Sequence, residues 1–495
     1  MLLLGIDLGT SSIKASVVDS QSRQTIASAV FPETEAEIIS LQRGWAEQDP
    51  NTWWEHVQQA ILNCHGKGNY HPKDIGSVGI AYQMHGLVVV DERHEVLRHS
   101  IIWCDSRAVP YGDKAFETIG EQRSLDHLLN SPGNFTASKL AWVKDHEPDI
   151  YSRISRIMLP GDFIALRMTG RATTSISALS EGVFWDFQHD EISKDILAHY
   201  GFSEEMIPPV QPVFSNHGEV LPEVAEKLGL RPGVAVGYKA GDQPNNALSL
   251  NVLEPGEIAT TAGTSGVIYG VSDRLFYDKQ SRINGFAHVN YTPIQKRIGV
   301  LLCINGAGIF NRWMKDHLGT KRSYAELNRL AEGIAPGSDG LFTLPFGNGA
   351  ERMLNNQMVG AHFHNLDLNL HHTGHLIRAV QEGIVFSMRY GLDIMRENGM
   401  RPEVVRANKT NMFLSELFAQ AFADVSNLVV EFYQGDGSYG AAIGGGYGAG
   451  AFSDLQEAFA GRKPTGIIEP AENSIYGSLY EEWKQVLKKH YCSGN

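Results

Sequence analysis

Two short turns between apolar, β-branched runs carry residue types that suit phosphate binding. Residues 9–12 read Gly-Thr-Ser-Ser and residues 263–266 read Gly-Thr-Ser-Gly, each between two predicted strands. Glycine lets the backbone approach an anion closely, successive N–H groups form a concave nest, and the hydroxyls add donors. A single turn of this kind would most simply be a β-hairpin turn. Its repetition indicates an internal duplication and favours phosphate binding by both turns.

Two aspartates lie beside predicted strand ends, where carboxylates can take part in phosphoryl transfer. Asp7 precedes the first turn, where it would repel a bare phosphate but could hold a Mg²⁺ ion that carries one. Asp242 follows a strand predicted at residues 234–237, and a carboxylate there could accept the proton of an attacking hydroxyl. A helix N-cap or a turn is the alternative role for Asp242. Together with the turns, these residues suggest a nucleotide–Mg²⁺ clamp with a general base.

Two further segments, each at the end of a predicted strand, carry side chains that suit a polyhydroxylated ligand. Residues 83–86 read Gln-Met-His-Gly and residues 103–107 read Trp-Cys-Asp-Ser-Arg, so hydrogen-bonding groups stand beside apolar faces. A structural role for His85 is as well supported as a ligand contact. These segments are candidates for the lining of a sugar pocket.

A separate histidine cluster raises the question of a metal site. Five histidines lie between His362 and His375, and His371 and His375 stand one helical turn apart, a spacing that zinc ligands use. No Cys or Glu in the right frame completes the set. Metal binding is therefore the less favoured interpretation of this cluster.

The composition narrows the class of protein. The 495 residues include 42 Lys and Arg against 56 Asp and Glu, and the formal net charge of −14 argues against nucleic acid or an anionic membrane as partner. No apolar run approaches the roughly 18 residues of a membrane helix, and the first residues lack the basic start of a signal peptide. The cysteines form no Cys-x-x-Cys pair, so we expect a cytoplasmic protein. They are Cys64, Cys104, Cys303 and Cys492.

Strand-like and helix-like segments alternate along the whole chain, which predicts an α/β fold. Asp49 and Pro50 mark a helix start, with Asp49 as the N-cap and Pro50 at the first helical position. The opening strand–turn–strand pattern returns near residue 257, without a flexible linker before it. We therefore expect two domains, at residues 1–248 and 249–495.

Taken in this order, the motifs resemble those of the FGGY family of carbohydrate kinases over nearly the whole chain. The resemblance implies an α/β fold with two ribonuclease-H-like domains of the actin, Hsp70 and hexokinase type, each with a mixed five-stranded sheet, around a deep cleft. The segments that carry it are residues 5–12, 44–50, 83–86, 103–107, 138–142, 159–163, 241–243 and 263–266.

The resemblance also implies a kinase that uses ATP and Mg²⁺, with a sugar-binding first domain and a nucleotide-binding second domain. Asp242 matches the catalytic base and Asp7 the metal-associated carboxylate. The implied substrate-binding residues are Met84, His85, Trp103 and Gln243, and the implied cofactor-binding residues are Thr10, Ser11, Ser12, Gly263, Thr264 and Asn408. A homodimer is the assembly that the family often forms.

Within the family, the segment that holds Trp45, Trp53 and Trp54 and the Gln-Met-His-Gly turn most resemble those of kinases that phosphorylate the 5-hydroxyl of D-xylulose. L-Ribulose, L-fuculose, gluconate and glycerol are the alternative substrates, and a non-catalytic sugar sensor is the alternative outside the enzymes. One departure from the family pattern lies at residues 406–411, where Arg-Ala-Asn-Lys-Thr-Asn replaces a glycine-rich turn. It predicts a bulkier, basic turn beside the adenosine and leaves the nucleotide preference open.

Overall fold

The structure is a computed structural model that describes residues 1–318 and 321–491, so Cys492 lies outside the described residues. Strands alternate with helices, which confirms the predicted α/β class. The strands are, in chain order, β1 (Leu2–Leu8), β2 (Ile13–Asp19), β3 (Thr25–Phe31), β4 (Glu47–Gln48), β5 (Ile75–Tyr82), β6 (Val88–Val90), β7 (Ser100–Ile101), β8 (Arg156–Met158), β9 (Trp185–Asp186), β10 (Glu191–Ile192), β11 (Ala235–Gly241), β12 (Glu257–Ala262), β13 (Gly266–Ser272), β14 (Asn284–Ala287), β15 (Ile298–Ile304), β16 (Phe342–Phe346), β17 (Gly360–His364), β18 (Val404–Asn408), β19 (Val429–Tyr433) and β20 (Gly466–Ile468).

The helices cover the sheets and connect their parallel strands. They are α1 (Pro50–Lys67), α2 (Val109–Ile119), α3 (Glu121–Leu128), α4 (Thr136–His146), α5 (Pro148–Tyr151), α6 (Pro160–Thr169), α7 (Ile176–Glu181), α8 (Lys194–Tyr200), α9 (Pro222–Leu228), α10 (Asp242–Ser249), α11 (Ala307–Leu318), α12 (Tyr324–Glu332), α13 (Thr373–Glu397), α14 (Glu416–Ser426), α15 (Gly437–Gly448), α16 (Leu455–Ala458) and α17 (Tyr476–Tyr491). Within the described residues, no helix combines the length and apolar character needed to cross a membrane.

The first sheet has five strands in the order β11-β5-β1-β2-β3. β1, β5 and β11 run parallel, whereas β2 is antiparallel to both of its neighbours. The central strands β1 and β5 are covered on both faces, which explains their continuous apolar runs. Helix α1 packs on β2 and β3 and begins as predicted, because the Asp49 side chain accepts a hydrogen bond from the Asn51 N–H at 2.9 Å and Pro50 follows it.

The second sheet repeats this topology and extends it. Its order is β14-β15-β13-β12-β18-β19-β20, and the five inner strands reproduce the order and directions of the first sheet. The structure therefore confirms the predicted duplication. The expectation of five strands is wrong for this sheet, because β14 and β20 add one antiparallel strand to each edge.

Helix α15 belongs to the second half of the sequence but packs on the first sheet, against β1, β5 and β11. Its approach is close enough that an added Cβ at Gly5 would lie 1.8 Å from the Ser438 carbonyl oxygen. An added Cβ at Gly79 would lie 1.8 Å from the Ala441 carbonyl oxygen. The helix itself consists mainly of Gly and Ala. Small residues on both sides therefore let the helix backbone rest directly on the sheet.

Candidate active site

The parallel strands of the first sheet bring the predicted site residues to one edge. Asp7 lies near the end of β1, the segment from Gln83 to His85 follows β5, and Asp242 follows β11. Because β1, β5 and β11 are parallel and adjacent, these carboxyl ends meet at the same edge of the sheet. The prediction that these distant segments share one site thus has a direct structural basis in the strand order.

Asp242 is the first residue of α10, directly after β11. Burial, followed by the nearby Asp7 carboxylate, raises the pKa of Asp242 to about 7, although hydrogen bonds from the Gln243 backbone and side chain act to lower it. A carboxylate with a pKa near neutrality holds a proton much better than an ordinary aspartate does. Asp242 therefore has the property that a general base at neutral pH requires.

Asp7 is held against the start of α15. A Cβ added to Gly437 would lie 2.2 Å from Asp7 Oδ2, so only glycine leaves room for the carboxylate at this position. Burial and the Asp436 carboxylate raise the pKa of Asp7 to about 6, while the Lys14 ammonium lowers it. The two neighbouring carboxylates, Asp7 and Asp436, concentrate negative charge next to Gly437, and this arrangement suits a divalent cation.

Asp436 is a site residue that the sequence analysis missed. It is the N-cap of α15, where its Oδ1 accepts hydrogen bonds from Ser438 Oγ at 2.6 Å and from the Tyr439 N–H at 3.1 Å. Its other oxygen pairs with the Lys14 ammonium. An aspartate directly before a run of small helical residues is an N-cap pattern, so a sequence signal was present. Its proximity to Asp7 required the tertiary fold.

His85 sits in a tight turn that positions its ring. The residue has a positive φ of 62°, and its carbonyl accepts hydrogen bonds from Lys139 Nζ at 2.8 Å and Thr136 Oγ1 at 3.2 Å. Its Nδ1 lies 2.9 Å from the Glu181 carbonyl oxygen, so Nδ1 carries the proton and Nε2 is left as an acceptor. Burial and the Lys139 charge lower the pKa of His85 to about 3. The neutral ring can therefore accept a hydrogen bond from a hydroxyl.

Thr10 connects the first turn with the candidate sugar-binding side chains. Its hydroxyl donates to Gln83 Oε1 at 3.1 Å and accepts from Trp103 Nε1 at 2.9 Å. Gln48 Nε2 binds the Thr10 carbonyl at 2.8 Å, and Gln48 Oε1 accepts from Gln83 Nε2 at 3.1 Å. The Thr10 hydroxyl thus already has two hydrogen-bond partners. The side chains of Ser11 and Ser12 line an open groove and make no hydrogen bond within the described part of the chain.

The second turn is fixed by the start of α11. The carbonyls of Gly263 and Thr264 accept hydrogen bonds from the N–H groups of Gly308 and Ile309, both at 3.0 Å. Glu351, which is buried, accepts from the backbone N–H groups of the two residues before α11, both at 3.0 Å. Burial raises the pKa of Glu351 to about 7. The sequence analysis did not identify this buried carboxylate. It binds the backbone just before α11, and the first turn of α11 in turn holds the second phosphate turn.

Residues from the second half of the chain lie close to the site at the carboxyl ends of β1, β5 and β11. The Phe286 ring of β14 lies 5.4 Å from the His85 ring. Arg352 is near enough to contribute to the lowered pKa of His85. Desolvation raises the pKa of the Cys303 thiol to about 11, with further contributions from the carboxylates of Glu351 and Asp242. The two sheets therefore face each other across one site.

The expectation of a basic turn at residues 406–411 needs correction for Arg406, whereas Lys409 does follow the strand. Arg406 lies within β18, where its guanidinium pairs with Glu257 at 2.8 Å and Glu431 at 3.0 Å on the neighbouring strands. Its charge is therefore neutralised inside the sheet. Asn408 ends β18, and its buried side-chain oxygen has no hydrogen-bond partner in the described part of the chain. This unsatisfied acceptor makes Asn408 a candidate for a ligand contact.

The histidines between His362 and His375 do not assemble into a ligand set. His375 Nε2 lies 3.0 Å from Asp339 Oδ2, and His371 Nδ1 accepts a hydrogen bond from the Asp367 N–H at 3.0 Å. His371 also approaches Asp339, with Nε2 3.4 Å from its carbonyl oxygen, but that oxygen belongs to the backbone and not to the carboxylate that His375 contacts. Among residues 1–318 and 321–491, the one group of three side chains that could share a metal ion is His127, Asp186 and His189, which lies elsewhere.

Two copies of one sheet topology, together with the similarity to solved structures given below, define an α/β protein of the actin and hexokinase fold. The family model for the N-terminal domain of FGGY carbohydrate kinases matches residues 2–249, and the C-terminal domain model matches residues 258–449. The chain belongs to the FGGY family of carbohydrate kinases.

Individual relatives agree with this assignment. A xylulose kinase of Bacillus subtilis is 29% identical over 497 residues, which cover 98% of this chain and 96% of the relative. A solved structure described as a xyloylose kinase from Brucella ovis is 26% identical and covers all of both chains with a TM-score of 0.88. The fold of a gluconate kinase from Lactobacillus acidophilus is also similar, with 20% identity, coverage of 99% of this chain and 98% of that one, and a TM-score of 0.89.

Proposed function

We propose that this enzyme transfers the γ-phosphoryl group of ATP to the 5-hydroxyl of D-xylulose in the presence of Mg²⁺. The observation that carries the proposal is the position of Asp242. A carboxylate whose pKa is raised to about 7 lies at the strand edge that also presents Asp7 and the His85 turn. Asp242 would take the proton from the attacking hydroxyl while the neighbouring turns hold the phosphates.

The residues around Asp7 fit a Mg²⁺ ion. Mg²⁺ prefers a small number of carboxylate oxygens together with phosphate oxygens and water, and Asp7 supplies a carboxylate beside the first turn. Asp436 adds a second carboxylate nearby, although the Lys14 ammonium competes for it. A bound Mg²⁺ would neutralise charge on the transferred phosphoryl group. The chain's own part is to orient Asp7, which the close fit against Gly437 achieves.

The sugar would bind to the first domain, which we assign to residues 1–248. Its site would lie between the segments at residues 83–86 and 103–107. Met84 offers an apolar contact, His85 Nε2 an acceptor and Trp103 its half-exposed ring. Gln243 adds an amide next to Asp242. We assign xylulose because the relatives named above include a xylulose kinase, and the D form follows from the family resemblance. Gluconate remains the alternative suggested by the similar fold.

The nucleotide would bind to the second domain, which we assign to residues 249–495. The N–H groups of Gly263 and Thr264, with Ser11 and Ser12 across the site, would face the phosphates, and the unpartnered Asn408 oxygen would face the nucleoside. A homodimer in the cytoplasm completes the proposal. It is supported by the family resemblance and by the absence of paired cysteines in the sequence.

The proposal is tested by ADP release from the full chain with ATP and Mg²⁺ over a panel of sugars. The panel contains D-xylulose, L-xylulose, D-ribulose, L-ribulose, L-fuculose, gluconate and glycerol. The expected result is a dominant rate with D-xylulose and a low rate without sugar. Another preferred sugar would replace the substrate assignment but keep the catalytic one. No activity with any sugar, with ATP or GTP, would favour a non-catalytic sugar sensor.

A further inference from the structure

His127, Asp186 and His189 form a cluster of potential metal ligands that the proposed phosphoryl transfer does not use. The Nδ1 atoms of both histidines lie 2.9 Å from the same oxygen, Asp186 Oδ2. One nitrogen from each ring and one carboxylate oxygen all lie within 4.8 Å of one another. We propose that this cluster binds one divalent transition-metal ion of the Zn²⁺ type.

The local fold fixes the carboxylate so that one oxygen faces both rings. Asp186 Oδ1 accepts hydrogen bonds from the N–H groups of Gln188 at 2.9 Å and His189 at 3.1 Å, which leaves Oδ2 directed at the imidazoles. The Phe187 N–H also donates to the His127 carbonyl at 2.8 Å, which ties the end of α3 to the β9–β10 hairpin. Hydrogen bonds that orient a ligating carboxylate in this way are a regular feature of metal sites.

The ligand types and their exposure select the class of ion. Two imidazoles and one carboxylate suit Zn²⁺ and its first-row neighbours, whereas Mg²⁺ prefers oxygen ligands and retains its water. The side chains of His127 and Asp186 are 15% and 7% exposed, and that of His189 is 57% exposed. The exposed ring gives an entry path and leaves room for water as a further ligand. The nearby Arg123 is already bound to Asp195, with N–O distances of 2.6 and 3.1 Å.

The position of the site indicates what an ion would do. His127 lies in the last turn of α3, and the other two ligands lie in the hairpin β9–β10, so an ion would link these elements. The same region contacts the second half of the chain through a hydrogen bond from Gln122 to the Tyr277 hydroxyl at 2.8 Å and an ion pair between Asp190 and Lys296 at 2.7 Å. Metal binding would therefore stabilise this contact without entering the reaction.

The test is calorimetric titration of the EDTA-treated full chain with Zn²⁺, without nucleotide and with millimolar Mg²⁺ present. One saturable site in the micromolar range or tighter is expected. His189→Asn removes a proposed ligand and should weaken binding by at least about 10-fold, the lower end of the loss seen when a residue that only supports a ligand is changed. A matched control is His362→Asn, because His362 stacks on His490 at 4.1 Å and offers neighbouring imidazoles elsewhere. That variant should bind Zn²⁺ as the wild type does.

Three outcomes would overturn the proposal. They are the absence of saturable Zn²⁺ binding, equal binding by wild type and His189→Asn, and a loss that occurs in His362→Asn instead. Because His189 is exposed, its variant should fold normally, which sugar-dependent ADP release or circular dichroism would verify. Co²⁺ provides a second readout, since its visible absorption should change on binding to wild type and not to His189→Asn.

Discussion

Asp7 and Asp242 lie at the ends of β1 and β11, and the charge of Asp7 adds to burial in raising the pKa of Asp242 to about 7. Strand β5 separates the two strands, so the sheet itself holds the two carboxylates at a defined spacing. Neither residue has the protonation behaviour of an isolated aspartate. This coupling makes the proposed base responsive both to pH and to any cation bound at Asp7.

The first prediction concerns the pH dependence of the wild-type enzyme. Asp242 can accept a proton only when ionised, so kcat/KM for the sugar should fall about tenfold per pH unit below about pH 7. A higher Mg²⁺ concentration should move the midpoint to lower pH, because a cation at Asp7 offsets the charge that raises the pKa. Initial rates measured from pH 5 to 9 provide the check. A profile that is flat down to pH 5 would be incompatible with this assignment.

The second prediction is that Asp242→Asn removes turnover but retains sugar binding. The amide cannot accept the hydroxyl proton, so kcat should fall by at least about 100-fold. The sugar Kd, measured by calorimetry, should stay within about threefold because the neighbouring His85 turn is unchanged. Wild-type turnover by this variant would remove Asp242 from the mechanism.

The third prediction is that Asp242→Asn also stabilises the unliganded protein at high pH. The folded-state pKa of Asp242 lies above the 3.8 of an unperturbed aspartate, so the wild type loses stability as pH rises from about 4 to 7 and the carboxyl ionises in the fold. At pH 8 the variant should therefore have a melting temperature a few degrees higher. The difference should shrink as pH falls and disappear only below about pH 4, where Asp242 is protonated in both the folded and the unfolded wild type. Asp113→Asn, at an exposed position of α2, is the matched control and should have no such effect.

The fourth prediction tests the space beside Asp7. Gly437→Ala would place a Cβ 2.2 Å from Asp7 Oδ2 and should displace either the carboxylate or α15, with a loss of about 1–3 kcal/mol of stability and of most activity. Gly66→Ala in α1 is the matched control, since its Cβ meets no atom within 4 Å. The control should be neutral or slightly stabilising. Equal behaviour of the two variants in thermal unfolding and ADP release would argue against the tight fit.

The fifth prediction concerns the link between Trp103 and the first turn. Trp103→Phe keeps an aromatic ring but removes the hydrogen bond from Nε1 to Thr10 Oγ1 that holds it in place. If about 1 kcal/mol of sugar binding depends on that positioning, KM for the sugar should rise about fivefold. Folding should be unaffected because the Trp103 side chain is half exposed. Trp313→Phe, at a comparably exposed tryptophan on α11, should leave steady-state kinetics unchanged. A change confined to kcat would contradict the assignment of Trp103 to substrate binding.

The sequence predicted the elements whose signals are local. Asp49 and Pro50 identified the start of α1, and the paired glycine-rich turns identified the duplication that both sheets display. The edge strands β14 and β20 escaped prediction because they have only four and three residues and each contains glycine. Short edge strands depend on their neighbours in the sheet and carry little pattern of their own.

Long-range contacts explain the errors and omissions at the site. Arg406 looked like part of a basic turn because its partners, Glu257 and Glu431, stand on strands far away in sequence. Asp436 was missed although it is an N-cap, since nothing local places α15 beside Asp7. The roles assigned to the individual site residues, and the boundary between residues 248 and 249, stay predictions for the experiments above.

The placement of α15 has a consequence for folding during synthesis. All strands of the first sheet have left the ribosome soon after residue 241, but the helix that covers β1, β5 and β11 ends at Gly448. Roughly 200 further residues take about 10–40 s at 5–20 residues per second. Throughout that interval the nascent sheet exposes a bare, glycine-lined face. The first half of this kinase is therefore built to finish folding only after nearly the whole chain has been translated.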